Sequence, residues 1–93
     1  MNCADCSWRD DIDSLAFVPR GHEGHCVIHR RAFRTLLGFA PSAEDCGDFF
    51  ARHAERFNAA AQRKIQRAAL PVDAHFHLNS RDIRRALRDT EQD

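Results

Sequence analysis

Polar and apolar residues alternate over short stretches early in the chain, and apolar residues recur at three- and four-residue steps through its middle. Leu15 to Val18, stopped by Pro19, reads as a short strand, and His25 to His29 reads as a second. Between them, Arg20 to Gly24 holds Gly21 and Gly24 and little that is apolar, which predicts a hairpin. The period of two sends Cys26 and Ile28 to one face of the second strand, assigned to the core. It sends His25, Val27 and His29 to the other.

Phe33, Leu36 and Leu37 recur at helical spacing, and Gly38 follows where a C-terminal cap sits, so Arg30 to Leu37 reads as a helix of about two turns. Pro41 then breaks the chain, and Ser42 with Asp45 makes a capping-box pattern that opens a longer helix. Phe50, Ala54, Phe57, Ala61, Ile65 and Ala68 fall on one stripe along roughly five turns, the largest expected contribution to the core. Pro71 ends that helix. Val72 to Leu78 alternates, with Val72, Ala74, Phe76 and Leu78 on one face and Asp73, His75 and His77 on the other, the pattern of a third strand. Ser80, Asp82 and Ile83 read as the N-cap and first turn of a short helix through Leu87.

These elements predict an α+β fold: a small antiparallel sheet, made of the hairpin plus a third strand, with one long and one or two short helices on one face. The single domain is expected over residues 14–88, after a loosely ordered segment at 1–13 and before a polar tail at 89–93. A chain of 93 residues, 43% hydrophobic and 30% charged, supports one core and is too apolar to stay disordered. No apolar run is long enough to span a membrane, and the N-terminus has neither the basic nor the apolar region of a secretory signal. The expected setting is therefore the cytoplasm, where the four cysteines are read as thiols.

The order of signals resembles the short bacterial proteins of domain of unknown function 1488. The matching features are the strand ending near Phe17, Gly24-His25-Cys26-Val27-Ile28-His29 leading into a helix, the Ala60 to Ile65 segment, and Leu78-Asn79-Ser80-Arg81-Asp82-Ile83. The resemblance implies a compact α+β fold and carries no assigned activity. His29 departs from it, standing where that family has Ser or Thr, which weakens the expectation of a conventional N-cap there.

Charge does not single out a partner, because Lys plus Arg and Asp plus Glu are equal at 14 each. The positive charge lies in the second half. On the long helix Arg52, Arg56, Arg63 and Arg67 fall within about 60° at 100° per residue, a basic ridge opposite the apolar stripe and able to meet nucleic-acid phosphates. Arg81, Arg84, Arg85 and Arg88 add charge nearby in sequence. A solvated helix face in an Arg-rich chain accounts for the same pattern.

Two constellations have metal-ligand character. Cys3, Cys6, His22 and Cys26 follow a C-x2-C-x15-H-x3-C spacing that can close a zinc site, although Cys26 is expected to face the core. His25, His29, His75 and His77 leave strand faces at two-residue spacing, and could converge on Zn, Ni or Cu if their strands pair. Free thiols and solvated imidazoles explain both without an ion. The sequence has no Gly-rich phosphate loop, nucleophile elbow or H-E-x-x-H helix, so catalysis is not expected and no cofactor is assigned. The expectation is a small interaction or regulatory module that binds a protein partner or a second copy through its sheet face or a sheet edge. The alternatives are a nucleic-acid-associated protein and a zinc or other transition-metal protein.

Overall fold

The computed structural model describes residues 6–91, in the order β1 (Cys6–Arg9), β2 (Ser14–Phe17), β3 (Cys26–His29), α1 (Arg30–Leu37), α2 (Ala43–Arg52), α3 (Ala54–Ala68), β4 (Phe76–Leu78) and α4 (Ser80–Glu91). The fold is α+β. The predicted hairpin is present, with Leu15 opposite Ile28 and Phe17 opposite Cys26 in antiparallel register. A strand precedes it: Cys6 to Arg9, in the segment expected to be loosely held, pairs antiparallel with β2. Its connection is the tight Asp10 to Asp13 loop, in which Asp13 takes a left-handed conformation (φ 51) and its N–H donates to the Asp10 carbonyl at 3.3 Å.

The strand order is β1-β2-β3-β4, and β4 joins parallel to β3. The sheet is therefore mixed, correcting the all-antiparallel expectation. The cause is topological. β3 runs straight into α1, and the helices α1 to α3 return the chain to the starting end of β3, as a parallel pair requires. β4 is also shorter than the alternation implied, because residues 71–74 form a turn in which the Ala74 N–H donates to the Pro71 carbonyl at 3.0 Å.

The capping signals act as read at two positions. Gly38 closes α1 in a left-handed conformation (φ 83), and Ser42 and Asp45 form both hydrogen bonds of a capping box, each 3.0 Å. His29 nevertheless caps α1, its Nδ1 accepting the Arg31 N–H at 3.0 Å. At α4 the cap is Asn79 rather than Ser80: its Oδ1 accepts the Asp82 N–H at 2.8 Å, and its own N–H donates to the Asp82 carboxylate at 3.1 Å. α4 also runs on to Glu91, past the end expected at Leu87.

The long helix is two helices meeting at His53, which lies outside helical geometry (φ −125, ψ 28). Aromatic packing gives the reason. Seven residues along a straight helix separate Phe50 from Phe57 by about 10 Å of axial rise. The bend brings their rings to 5.0 Å, and sets Phe49 against His53 at 4.6 Å and edge-on to Phe57 at 6.0 Å.

One core joins the layers. Leu15, Phe17, Cys26, Ile28 and Leu78 on the sheet meet Phe33, Cys46, Phe50, Phe57, Ala60, Ala61, Ile83 and Ala86 on the helices. Phe33, Phe57, Ile28 and Ile83 have no exposed surface, and each buried side chain of that size stabilises by about 1.5–3 kcal/mol. Ala54 and Ala68, at the ends of the expected stripe, are exposed. No helix among the described residues is long and apolar enough to cross a membrane.

Candidate nucleic-acid interface

Helix α4 begins where β4 ends, and its capping pair fixes its rotation. Ile83 and Ala86 face the core, so Arg81, Arg84, Arg85 and Arg88 face outward together and are all exposed. Their spacing of i, i+3, i+4 and i+7 makes one stripe about 10 Å long. Across from it stands Arg67 at the end of α3, and the two helices bound a cleft of about 610 Å³ lined by Arg67, Asn79, Asp82 and the four stripe arginines.

Asp82 sets the electrostatics of the cleft floor. Its side chain is 16% exposed, and it lies 3.7 Å from both the Lys64 ammonium and the Arg67 guanidinium. Lys64 also donates to the His77 carbonyl at 2.7 Å, which closes the outer edge of β4. Among the described side chains, this one carboxylate faces six cations: Lys64, Arg67, Arg81, Arg84, Arg85 and Arg88.

Some terms of the stripe oppose the isolated helix, although Asp82 in the first turn, three residues before Arg85, and Arg88 in the last turn act the other way. Arg81 and Arg85, like Arg84 and Arg88, are like charges four residues apart, which destabilises a helix by a few tenths of a kcal/mol per pair. Arg81 also sits in the first turn, where the helix dipole disfavours cations. An anion in the cleft reverses both terms, because phosphate oxygens accept guanidinium hydrogen bonds and favour helix N-termini.

The basic ridge expected along the long helix does not form as one surface. Arg52 is the last residue of α2, beyond the bend at His53, and borders a different hollow with Phe39, Asp45 and Asp48. Arg56 and Arg63 are half-buried on α3, and only Arg67 reaches the α4 cleft.

Neither metal constellation is assembled among the described residues. Cys3 lies outside the described residues. Cys6 is disulfide-bonded rather than a thiol, whereas Cys26 and Cys46 are free and buried. Cys26 is sealed in the core, and burial pushes its thiol up to about 12, far from the thiolate a metal needs. His22 is buried with its Nε2 donating to the Ala74 carbonyl at 2.8 Å. The strand histidines are likewise apart or engaged. His75 Nδ1 accepts the His25 N–H at 2.9 Å, the two rings stack at 5.6 Å, and His29 is used as a cap. Among the described residues, no group of three or more His, Cys, Asp or Glu side chains is placed to hold a metal ion.

A second, more apolar hollow of about 550 Å³ lies between the sheet and α1, bordered by Ile12, Val27, His29, Ala32 and His77. Two of its hydroxyls are already engaged, Ser14 with the Ile12 carbonyl at 2.8 Å and Thr35 with the Arg31 carbonyl at 3.2 Å.

No family model matches the chain, and neither the curated proteins nor the solved structures contain a match to it.

Proposed function

We propose that this chain is a nucleic-acid-associated protein of the cytoplasm that grips the phosphodiester backbone with the α4 arginine stripe and Arg67. The observation that supports the reading is the stripe itself: four exposed arginines on one helix face, sharing a cleft with Arg67 and with Asp82 as its one carboxylate among the described side chains. Arginine is suited to the task, since its planar fork pairs with phosphate oxygens two at a time. The contacts are with backbone rather than base edges, so sequence preference is weak.

Fluorescence anisotropy with labelled mixed-sequence DNA and RNA of about 20 nucleotides tests this, titrated between about 50 and 200 mM salt. Four to five phosphates neutralised give a log–log salt slope of about −3 to −4.5. The double reversal Arg84→Glu/Arg85→Glu should lower affinity at low salt by at least about tenfold with unchanged circular dichroism, while Arg52→Glu/Arg56→Glu should leave binding near the wild-type level. Equal binding by the wild-type chain and the α4 double variant rejects the proposal.

The apolar hollow between the sheet and α1 supports a second reading, that of an interaction module. There Val27→Asp should abolish association with a protein partner or a second copy, read by sedimentation velocity, without affecting the nucleic-acid titration.

A further inference from the structure

Both ends of β3 are held by a histidine nitrogen that must be unprotonated. Before the strand, His75 Nδ1 accepts the His25 N–H at 2.9 Å; after it, His29 Nδ1 accepts the Arg31 N–H at 3.0 Å. A neutral imidazole has one acceptor nitrogen, whereas an imidazolium carries N–H at both. Proton uptake therefore turns each acceptor into a donor that confronts a backbone donor. We propose that His75 and His29 are proton-operated latches, which release the start of β4 and the first turn of α1 on acidification. This inference is independent of the phosphate-binding reading.

The surroundings make the two latches specific. The His75 ring stacks on His25 at 5.6 Å with an interplanar angle of 22°. The neighbouring ionisable groups are His22 and Glu23 on the facing loop and Asp73 in the segment carrying His75, with the Glu23 N–H donating to the Val72 carbonyl at 2.7 Å. His22 behaves oppositely to His75. Its Nε2 donates to the Ala74 carbonyl at 2.8 Å, and an imidazolium makes that bond as well as a neutral ring. At the other end His29 has Asp13 beside it, which attracts an imidazolium. Against this stand Arg30, Arg31 and the positive end of the α1 dipole, and His77 borders the same hollow.

The parts that move are small. The Phe76 N–H donates to the His25 carbonyl at 3.0 Å, so the residue whose amide is latched also anchors β4, a strand of only three residues. The core beneath, with Ile28 and Phe57 wholly buried, contains neither latch histidine and stays folded. The sign follows from the required form: the neutral rings hold the latches, and the contribution is lost when the rings take up a proton.

Amide hydrogen exchange of the full chain, followed by NMR at neutral and at acidic pH and corrected for the intrinsic pH dependence of exchange, tests the device. Between about pH 7.5 and about pH 5.5, protection at His25 and Arg31 should fall about tenfold, the scale of one hydrogen bond, while Ile28 is unaffected. The variant His29→Asn/His75→Asn supplies an Oδ1 acceptor in place of each Nδ1 and does not titrate, so the fall should vanish. Ring ¹⁵N spectra of the wild-type chain give a readout that needs no variant: Nδ1 of both histidines should be bare at the higher pH and protonated at the lower. Protection that is constant with pH in the wild type, a fall that persists in the double variant, or Nδ1 protonated at the higher pH overturns the proposal.

Discussion

Gly24 lies so close to Ala74 that a Cβ on residue 24 would be driven into the Ala74 carbonyl group. The requirement is for space, because this glycine stands where the loop before β3 meets the turn before β4. The Gly24 N–H itself donates to the Val72 carbonyl at 3.2 Å, and His22 and Glu23 bond the same turn. Gly24→Ala should force the two segments apart and remove two or three hydrogen bonds, a loss of about 2–3 kcal/mol. Thermal melting should fall by about 10–20 °C in a domain of this size. A variant that melts with the wild type would show that the segments separate without cost.

Phe57 is the hub of the aromatic cluster, wholly buried, with ring centroids 5.9 Å from Phe33, 6.0 Å from Phe49 and 5.0 Å from Phe50. Truncation to alanine costs about 3–5 kcal/mol through lost burial and the cavity left behind. Total stability at this chain length is about 5–14 kcal/mol, so Phe57→Ala should lose most of its cooperative urea transition. Phe57→Leu, which refills most of the volume, should restore it. Cooperative unfolding of the alanine variant at the wild-type urea midpoint would contradict this placement of the core.

What the sequence discloses and conceals follows from which forces are local. The β2–β3 hairpin, the Gly38 stop and the Ser42–Asp45 box are set by residues within a few positions of one another, and each was readable. The bend at His53 was not, since the apolar step pattern runs through it unbroken and only the meeting of Phe49, Phe50 and Phe57 decides it. The direction of β4 depends on where three helices return the chain, which no local pattern records. β1 did carry a signal, with half-buried Cys6 and Trp8 alternating with exposed Ser7 and Arg9, but its few residues lie in a polar stretch. The described histidines and cysteines do not gather into one group for a related reason. Spacing fixes which way a side chain leaves a strand, not whether its nitrogen is already bonded. The α4 stripe had a readable i, i+3, i+4, i+7 signature, obscured by ending the helix at Leu87.

Asp13 ties the β1–β2 loop to α1. Its carboxylate accepts from Arg30 Nε at 2.9 Å, and its backbone carbonyl accepts the Arg30 N–H at 3.0 Å. The Arg30 hydrogen bond, with smaller contributions from the charges of Arg30 and His29, holds the Asp13 carboxyl below its ordinary value despite opposing desolvation. A carboxyl depressed in the folded state stabilises above its unfolded value of about 3.9 and loses that contribution as pH falls through the folded value. Asp13→Asn should therefore lower the urea midpoint near about pH 6 and match the wild type near about pH 2. Asparagine tolerates the left-handed backbone at this position, so the comparison isolates the charge. A gap between the two proteins that stays constant down to the lower pH would assign the effect to something other than ionisation.

Ala69 ends α3 in a left-handed conformation (φ 52, ψ 49) that an L-residue reaches at a cost of about 1–2 kcal/mol. The position is fixed by two hydrogen bonds of a helix-terminating motif, from the Ala69 N–H to the Gln66 carbonyl at 3.3 Å and from the Leu70 N–H to the Ile65 carbonyl at 3.0 Å. Glycine removes the Cβ conflict but loses more backbone entropy on folding, about 0.5–1 kcal/mol, so the net gain for Ala69→Gly is about 0.5–1 kcal/mol. The side chain is exposed, and no packing is lost with it. Ala68, one residue earlier and also exposed, is still helical, and there glycine should destabilise by about 1 kcal/mol. Adjacent substitutions of the same kind should thus move the thermal midpoint in opposite directions, by about 2–8 °C each. If both lower it, the strain at Ala69 is not what limits the end of α3.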